Sequence, residues 1–174
     1  MCGIVGYGGF TKKASLDKAI RAIKHRGPDG NGAQYFDDVA LGNTRLAILD
    51  LSEKGHQPMF NQDRSLCITF NGEIYNFLEV KALLDHKYQF RSNSDTEVIL
   101  YAYQEWGPKC LERLSGMFSF VLYDRKKHLL FGARDRLGQK PLKYYFENGK
   151  LIFASEIKAI LSLVDSKLSI DEIA

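Results

Sequence analysis

Cysteine stands directly after the initiator methionine, at Cys2. Methionine aminopeptidases remove Met before a small residue, which would leave a free α-amino group on Cys2. An α-amine titrating near about 7.7–8.0 is a base at neutral pH. The thiol beside it, near about 8.5, attacks as the thiolate, generated by that amine directly or through a water. One residue would then supply nucleophile and base together. The position alone is also what a chance small second residue gives. Cys67, inside the apolar run 66–70, and Cys110, beside Leu111 and Leu114, read instead as small buried core residues. An odd cysteine count without metal-ligand spacing predicts neither a disulfide framework nor a metal site.

A second polar cluster is Asn71-Gly72-Glu73, placed by the sequence just after a buried strand at 66–70. The Asn71 amide and the Gly72 backbone N–H could both point at one developing oxyanion, each such donor being worth about 3–4 kcal/mol of barrier. An Asn-Gly pair also suits an ordinary strand-ending turn. Arg45 and Asp95 form complementary anchors, because an amino acid offers a carboxylate for an Arg fork and an ammonium for an acid. Taken singly, Asp95 is a residue the first turn of any helix favours, and Arg45, at the start of a strand, could be a surface charge.

The elements that would position these residues follow from pattern. A glycine-rich strand spans 2–10, and Ser15 caps a helix with Leu16, Ala19, Ile20 and Ile23 on one face. Arg26-Gly27-Pro28-Asp29-Gly30 breaks it. Strands are expected around 33–36, 39–42 and 45–50, followed by a long polar loop over 51–64 that could serve as a lid. A short helix lies near 78–84. Ser94-Asp95-Thr96-Glu97 has capping-box spacing ahead of the stripe Val98, Ile99, Tyr101, Ala102. Strands over 117–123 and 129–133 flank a polar turn, and 142–146 with 151–154 flank the hairpin signal Asn148-Gly149. Ser155 then caps a helix over 156–161. Helices separated by runs of neighbouring strands give an α+β domain.

Composition sets the outer bounds. The chain has 174 residues, 45% hydrophobic and 26% charged, with net charge +3. Charges are interspersed, which argues against a nucleic-acid surface. No apolar run reaches the ~20 residues of a membrane span, and no secretory signal is evident, so a cytoplasmic location is expected.

Together the motifs resemble the N-terminal glutaminase domain of class II glutamine amidotransferases of the asparagine synthetase type. The likeness rests on Met1-Cys2-Gly3-Ile4-Val5-Gly6, His25-Arg26-Gly27-Pro28-Asp29-Gly30, Arg45-Leu46-Ala47-Ile48-Leu49-Asp50 and Gln57-Pro58-Met59. It continues through Asn71-Gly72-Glu73-Ile74-Tyr75-Asn76, Ser94-Asp95-Thr96-Glu97, Gly116-Met117-Phe118 and the segment from Arg134-Asp135 to Lys140-Pro141-Leu142. It implies an N-terminal-nucleophile hydrolase, a four-layer αββα sandwich of two antiparallel sheets. It further implies that Cys2 attacks the side-chain amide of L-glutamine through a thioester, with Asn71 and Gly72 holding the oxyanion. Arg45 and the backbone near Leu49 would take the α-carboxylate, and Asp95 with Glu73 the α-amino group.

On this reading residues 1–162 are the glutaminase domain, and 163–174 are a tail or the start of a linker, Leu168-Ser169-Ile170-Asp171 resembling that link. The domain itself needs no cofactor. ATP and Mg belong to a synthetase partner domain whose Ser-Gly-Gly-x-Asp-Ser signature does not occur here, so an excised domain is expected rather than a stand-alone one. Asn43 departs from the family's His, which predicts an altered contact near Arg45. Two other readings remain: a non-catalytic glutamine- or partner-binding module if Met1 is retained, and an amidohydrolase of another N-terminal-nucleophile type.

Overall fold

The structure, a computed structural model, describes residues 1–10 and 14–164. The tail from 165, including Leu168-Ser169-Ile170-Asp171, lies outside the described residues. Along the chain run β1 (Gly3–Gly8), α1 (Asp17–Ala22), β2 (Gly30–Tyr35), β3 (Ala40–Arg45), β4 (Met59–Phe60), β5 (Leu66–Ile74), α2 (Phe77–Ala82) and α3 (Asp95–Trp106). Then follow β6 (Gly116–Asp124), β7 (Leu129–Arg134), β8 (Lys143–Glu147), β9 (Lys150–Ala154) and α4 (Ile157–Leu161).

These strands form two antiparallel sheets, one in the order β2-β3-β1-β9-β8 and the other β4-β5-β6-β7. Alternation of side chains along each strand gives every sheet two faces. Leu41 and Phe153 of the first sheet meet Cys67, Val121 and Tyr123 of the second in a shared inner layer. On the outer face of the first sheet, Val5, Tyr7 and Ile152 pack beneath Leu16, Ile20 and Ile160, the apolar stripes of α1 and α4. On the outer face of the second, Ile68, Phe70, Phe120 and Leu122 take Val98, Ile99 and Tyr101 of α3. Each fully buried aliphatic side chain contributes about 1.5–3 kcal/mol, so α1 and α3 owe their stability to these stripes more than to helix propensity. The layers stack helix, sheet, sheet, helix. The fold is therefore α+β, the αββα sandwich.

Several local expectations are corrected. The strands foreseen at 39–42 and 45–50 are one strand, β3, and Arg45 ends it rather than beginning one. Residues 46–50 leave the sheet because Asp29 holds them: its carboxylate accepts the Ala47 N–H at 2.9 Å, and its own N–H donates to Arg45 O at 3.0 Å. β5 runs on to Ile74, so Asn71-Gly72 lies within a paired strand, opposite Ser119 and Phe118, and not in a turn after one. The 51–64 loop contains a short 3-10 turn, Glu53–Gly55, and the two-residue strand β4.

Capping differs too. Ser155 does not cap α4; its hydroxyl accepts the Ile4 N–H at 3.0 Å across the sheet. Ser94 caps α3 through the Thr96 N–H, but Glu97 does not close the box: its carboxylate accepts the N–H groups of Arg91 and Ser92. Ser15 accepts the Asp17 N–H at 3.2 Å, with the helix beginning one residue later than expected. The Asn148-Gly149 hairpin forms as foreseen, both residues at positive φ, 50° and 75°. No helix among the described residues is long and apolar enough to cross a membrane.

Candidate active site

Where the inner layer runs out at the N-terminal end of β1, the two sheets leave a cleft. By period-two alternation Leu41, Asn43 and Arg45 of β3 share a face, as do Cys67, Thr69, Asn71 and Glu73 of β5, and these faces look at each other. Thr69 bridges them, its hydroxyl donating to Gly42 O at 2.9 Å. Cys2, Arg45, Leu49, Asn71, Gly72, Glu73 and Asp95, all seven residues singled out in the sequence, line this one cleft.

Cys2 is fixed from several directions. Its Sγ accepts the Leu46 N–H at 3.4 Å and lies 3.6 Å from Leu46 O. Its carbonyl accepts Arg26 Nε at 3.0 Å, and Arg26 Nη1 donates to Glu156 Oε1, also at 3.0 Å. Burial works to raise the Glu156 carboxyl, yet its bonds from Arg26, Lys158 and His25 hold it at about 2. Burial pushes the Cys2 thiol above its ordinary value; the Leu46 N–H and the N-terminal charge pull it back, Asp95 adds to the rise, and Arg45 opposes it. The other two thiols are fully buried, which raises Cys67 well above the ordinary range and Cys110 to about 11. Cys2 alone among the three opens to the cleft.

Arg45 is buried, not the surface charge its sequence position allowed. Nη1 donates to Ser52 O at 3.0 Å and Nη2 to Asp50 O, so the guanidinium holds the 46–55 segment in place. A Cβ at Gly55 would land on that guanidinium, which leaves glycine as the residue that fits where the 3-10 turn crosses it. Leu49 stands exposed on the rim.

The opposite wall is the free edge of β5. Phe118 spends both its N–H and its C=O on Asp135, so the facing residue Gly72 turns its own N–H away from β6. Residues 70, 72 and 74 therefore present N–H groups along one edge, past the end of the short β4. Gln57 Oε1 accepts from Phe70 at 2.7 Å, and Asp95 Oδ2 accepts from Ile74 at 2.9 Å. Gly72, between them, takes no side-chain partner among the described residues. A Cβ there would strike Met117 O and come within 2.7 Å of Phe118 Cα. Next to it, Asn71 is almost fully buried, and neither atom of its amide has a hydrogen-bond partner among the described residues. Buried polar groups left unpaired are uncommon and costly. Two unspent donors thus lie side by side beneath the Cys2 sulfur's cleft.

Asp95 opens α3 and is also nearly buried. Burial raises its carboxyl from the ordinary 3.8 to about 6, with the Ile74 and Thr96 N–H groups opposing and Glu73 reinforcing the rise. The cleft is therefore cationic at Arg45 and acidic at Asp95 and Glu73.

Sequence reasoning gave no role to several residues now seen at the site. Gln57 holds Phe70 and donates to Thr96 Oγ1 at 3.3 Å, while Asn43 Nδ2 donates to Gln57 Oε1 at 3.3 Å. Asn43 thus contacts Gln57, and its Oδ1 is buried without a partner among the described residues. Lys140 lines the cleft and Arg26 holds Cys2 from behind. Gln57, Arg26 and Lys140 each lie inside a motif that carried the family resemblance, which was the available signal, whereas Asn43 stood out as a departure from the family's His, and its contact is with Gln57.

The profile of a glutamine amidotransferase domain matches residues 1–174. The chain is 44% identical over 184 residues to a putative glutamine-hydrolysing asparagine synthetase 2 of Methanocaldococcus jannaschii, covering 94% of this chain and 35% of that protein. It is 45% identical over 151 residues to asparagine synthetase B of Escherichia coli, covering 86% of this chain and 27% of that protein. The chain thus spans about a third or less of the curated relatives it matches. Among solved structures, the glutamine phosphoribosylpyrophosphate amidotransferase of B. subtilis superposes with a TM-score of 0.77 at 20% identity, over 91% of this chain and 43% of that one. That likeness is one of fold, the N-terminal-nucleophile hydrolase sandwich.

Proposed function

Since the chain belongs to the glutamine amidotransferase domain family, we propose that residues 1–162 hydrolyse the side-chain amide of L-glutamine to glutamate and ammonia, with Cys2 as nucleophile. The observation that carries this reading is the pair of unspent donors, Asn71 Nδ2 and Gly72 N–H, in the cleft that Cys2 enters.

The chemistry follows from the geometry. Removal of Met1 frees the Cys2 amine, which takes the thiol proton as Sγ attacks the amide carbon. Negative charge grows on the amide oxygen, where Asn71 and Gly72 donate to it. The tetrahedral adduct collapses as the C–N bond breaks, and the departing nitrogen takes the proton held by the amine. A thioester and ammonia result. Water, deprotonated by the same amine, then attacks the thioester and releases glutamate with the thiol restored. Substrate is held at its other end as a zwitterion, the carboxylate at Arg45 and Leu49 and the ammonium at Asp95 and Glu73. An Asp at about 6 is largely ionised at neutral pH, and an arriving ammonium ionises it further.

The relatives are synthetases of greater length, and we assign the ammonia to an asparagine-forming partner domain of that kind, with which ATP and Mg belong. A cytoplasmic setting would keep the Cys2 thiol reduced. The test joins two measurements on the same sample: intact mass, to show Met1 removed, and ammonia release from glutamine. Cys2→Ala is expected to keep the fold and lose turnover to background. A fully processed chain that releases no ammonia, or a Cys2→Ala variant that still does, overturns the assignment.

A further inference from the structure

The segment from Arg134 to Leu142 is organised more tightly than a connection between β7 and β8 requires. The Asp135 carboxylate accepts the N–H groups of Phe118, Leu137, Gln139 and Lys140 at 2.8–3.2 Å. Arg134 Nε donates to Lys140 O at 2.6 Å, and its Nη2 to Gly138 O. Gly138 sits at φ 65°, where the turn needs glycine. All of this delivers one side chain, Lys140, into the cleft that Cys2 also lines. Lys140 is 5% exposed, and no carboxylate of the described residues pairs with it. Its Nζ lies 2.8 Å from Met1 Sδ, a thioether and a weak acceptor. A buried cation without a counterion is costly, and four backbone N–H groups spent on holding it there mark a use for its charge.

Building on the assignment of Cys2 as nucleophile, we propose that Lys140 is a positioning charge that keeps the Cys2 α-amine unprotonated at neutral pH. When Met1 leaves, the thioether goes with it, and the new amine opens into the cleft that Lys140 also lines. Two ammonium groups repel, so the Lys140 charge disfavours the protonated form of the new amine. Other charges line the same cleft or contact Cys2. Asp95 from α3, Glu73 from β5 and Asp50 from the 46–50 segment favour a protonated amine; Arg45 from β3 and Arg26, itself paired with Glu156, oppose it. Bound glutamine satisfies Arg45 with its carboxylate and the acids with its ammonium. Lys140 is then the cation left to act on the amine, so the base is set for its task once substrate is in place.

The test uses full-length, Met1-processed protein in three forms: wild type, Lys140→Met, close in length but uncharged, and Lys140→Arg, which keeps the charge. In Lys140→Met the acid limb of kcat/KM is expected to move up by about one pH unit, with about tenfold lower kcat/KM on that limb. Lys140→Arg should leave the limb in place. In a Cys2→Ala background, pH-dependent acylation of the α-amine should show the same upward shift on Lys140→Met without any turnover. A uniform fall in kcat with a stationary limb and a stationary amine titration would show Lys140 to be structural and overturn the proposal. If no form hydrolyses glutamine, the assignment of Cys2 fails, while the acylation profile still decides the effect of Lys140.

Discussion

The two walls of the cleft treat their polar groups in opposite ways. On the first-sheet wall Arg45 is already engaged, its guanidinium bound to Asp50 O and Ser52 O, and the loop it holds is in turn tied to Asn93 through the Asp50 carboxylate. On the second-sheet wall Asn71 has an amide with no partner among the described residues, and Gly72 an N–H with no side chain to meet it. The first wall is preassembled by internal bonds, so under the proposed function a substrate carboxylate would find the fork already aimed. The second wall holds donor capacity in reserve, which only an oxygen gaining charge during reaction would use in full. Under the proposed function, binding groups would be placed by satisfaction and oxyanion donors by its absence.

The sharpest way to break this contrast is Asn71→Ala. Turnover is expected to fall about 10²–10³-fold with KM little changed, while thermal stability holds or rises, because a buried unpaired amide is removed. A marked loss of stability would mean that the amide is satisfied after all. Arg45→Ala should act on the other wall and in the other parameter. Loss of the carboxylate grip, about 2–5 kcal/mol, predicts a KM at least about thirtyfold higher, with lower stability because two loop carbonyls lose their donor. An unchanged KM would detach Arg45 from the substrate.

Asp95→Asn sharpens the comparison through pH. The wild-type carboxyl binds its proton more tightly folded, at about 6, than its ordinary 3.8. The folded protein therefore loses stability as pH rises from about 4 to about 6, the unfolded acid ionising first. Asn keeps an oxygen for the Ile74 N–H and does not ionise. The variant should melt like wild type relative to its own baseline below pH 4 and gain on the order of 2–3 kcal/mol above pH 6, while binding glutamine more weakly. Equal stability differences at both ends of that range would remove the buried carboxylate from the argument. Least severe is Gln57→Leu, which frees the Phe70 N–H and slackens the strand edge before Asn71; a several-fold drop in kcat and about 1–3 kcal/mol of stability are expected. Fluorimetric melts and steady-state kinetics on one preparation read both.

How far the sequence carried the description depends on distance along the chain. The apolar stripes of α1 and α3, the hairpin at Asn148-Gly149 and the turn at 125–128 are local patterns, and they appear where expected. Ser155 misled because a serine before a helix suggests a cap, whereas Ile4, 151 residues earlier, brings an N–H to its hydroxyl. Glu97 had the spacing to close on Ser94 and instead caps the turn at Arg91 and Ser92. Asn71-Gly72 looked like a turn because its strand partner, β6, lies beyond two helices. All seven candidates chosen by residue type line one cleft. The helpers Gln57, Arg26 and Lys140 were illegible because their chemistry is defined only by what long-range packing sets against them.

One feature of the first sheet reaches past the finished molecule. β1 lies between β3 and β9, and Ile4 exchanges bonds with Ser155. β9 is made well after β1 and β3, so until it emerges β1 has at most one neighbour, and such a distant pairing forms slowly. Throughout that interval the amino terminus is an open end, available to an aminopeptidase. When β9 arrives, Glu156 follows it and closes on Arg26, and Arg26 on the Cys2 carbonyl. The order of translation would thus separate two events that obstruct each other: trimming of Met1, which the proposed function requires, would occur while the end is free, and the cleft would form around an amine already made.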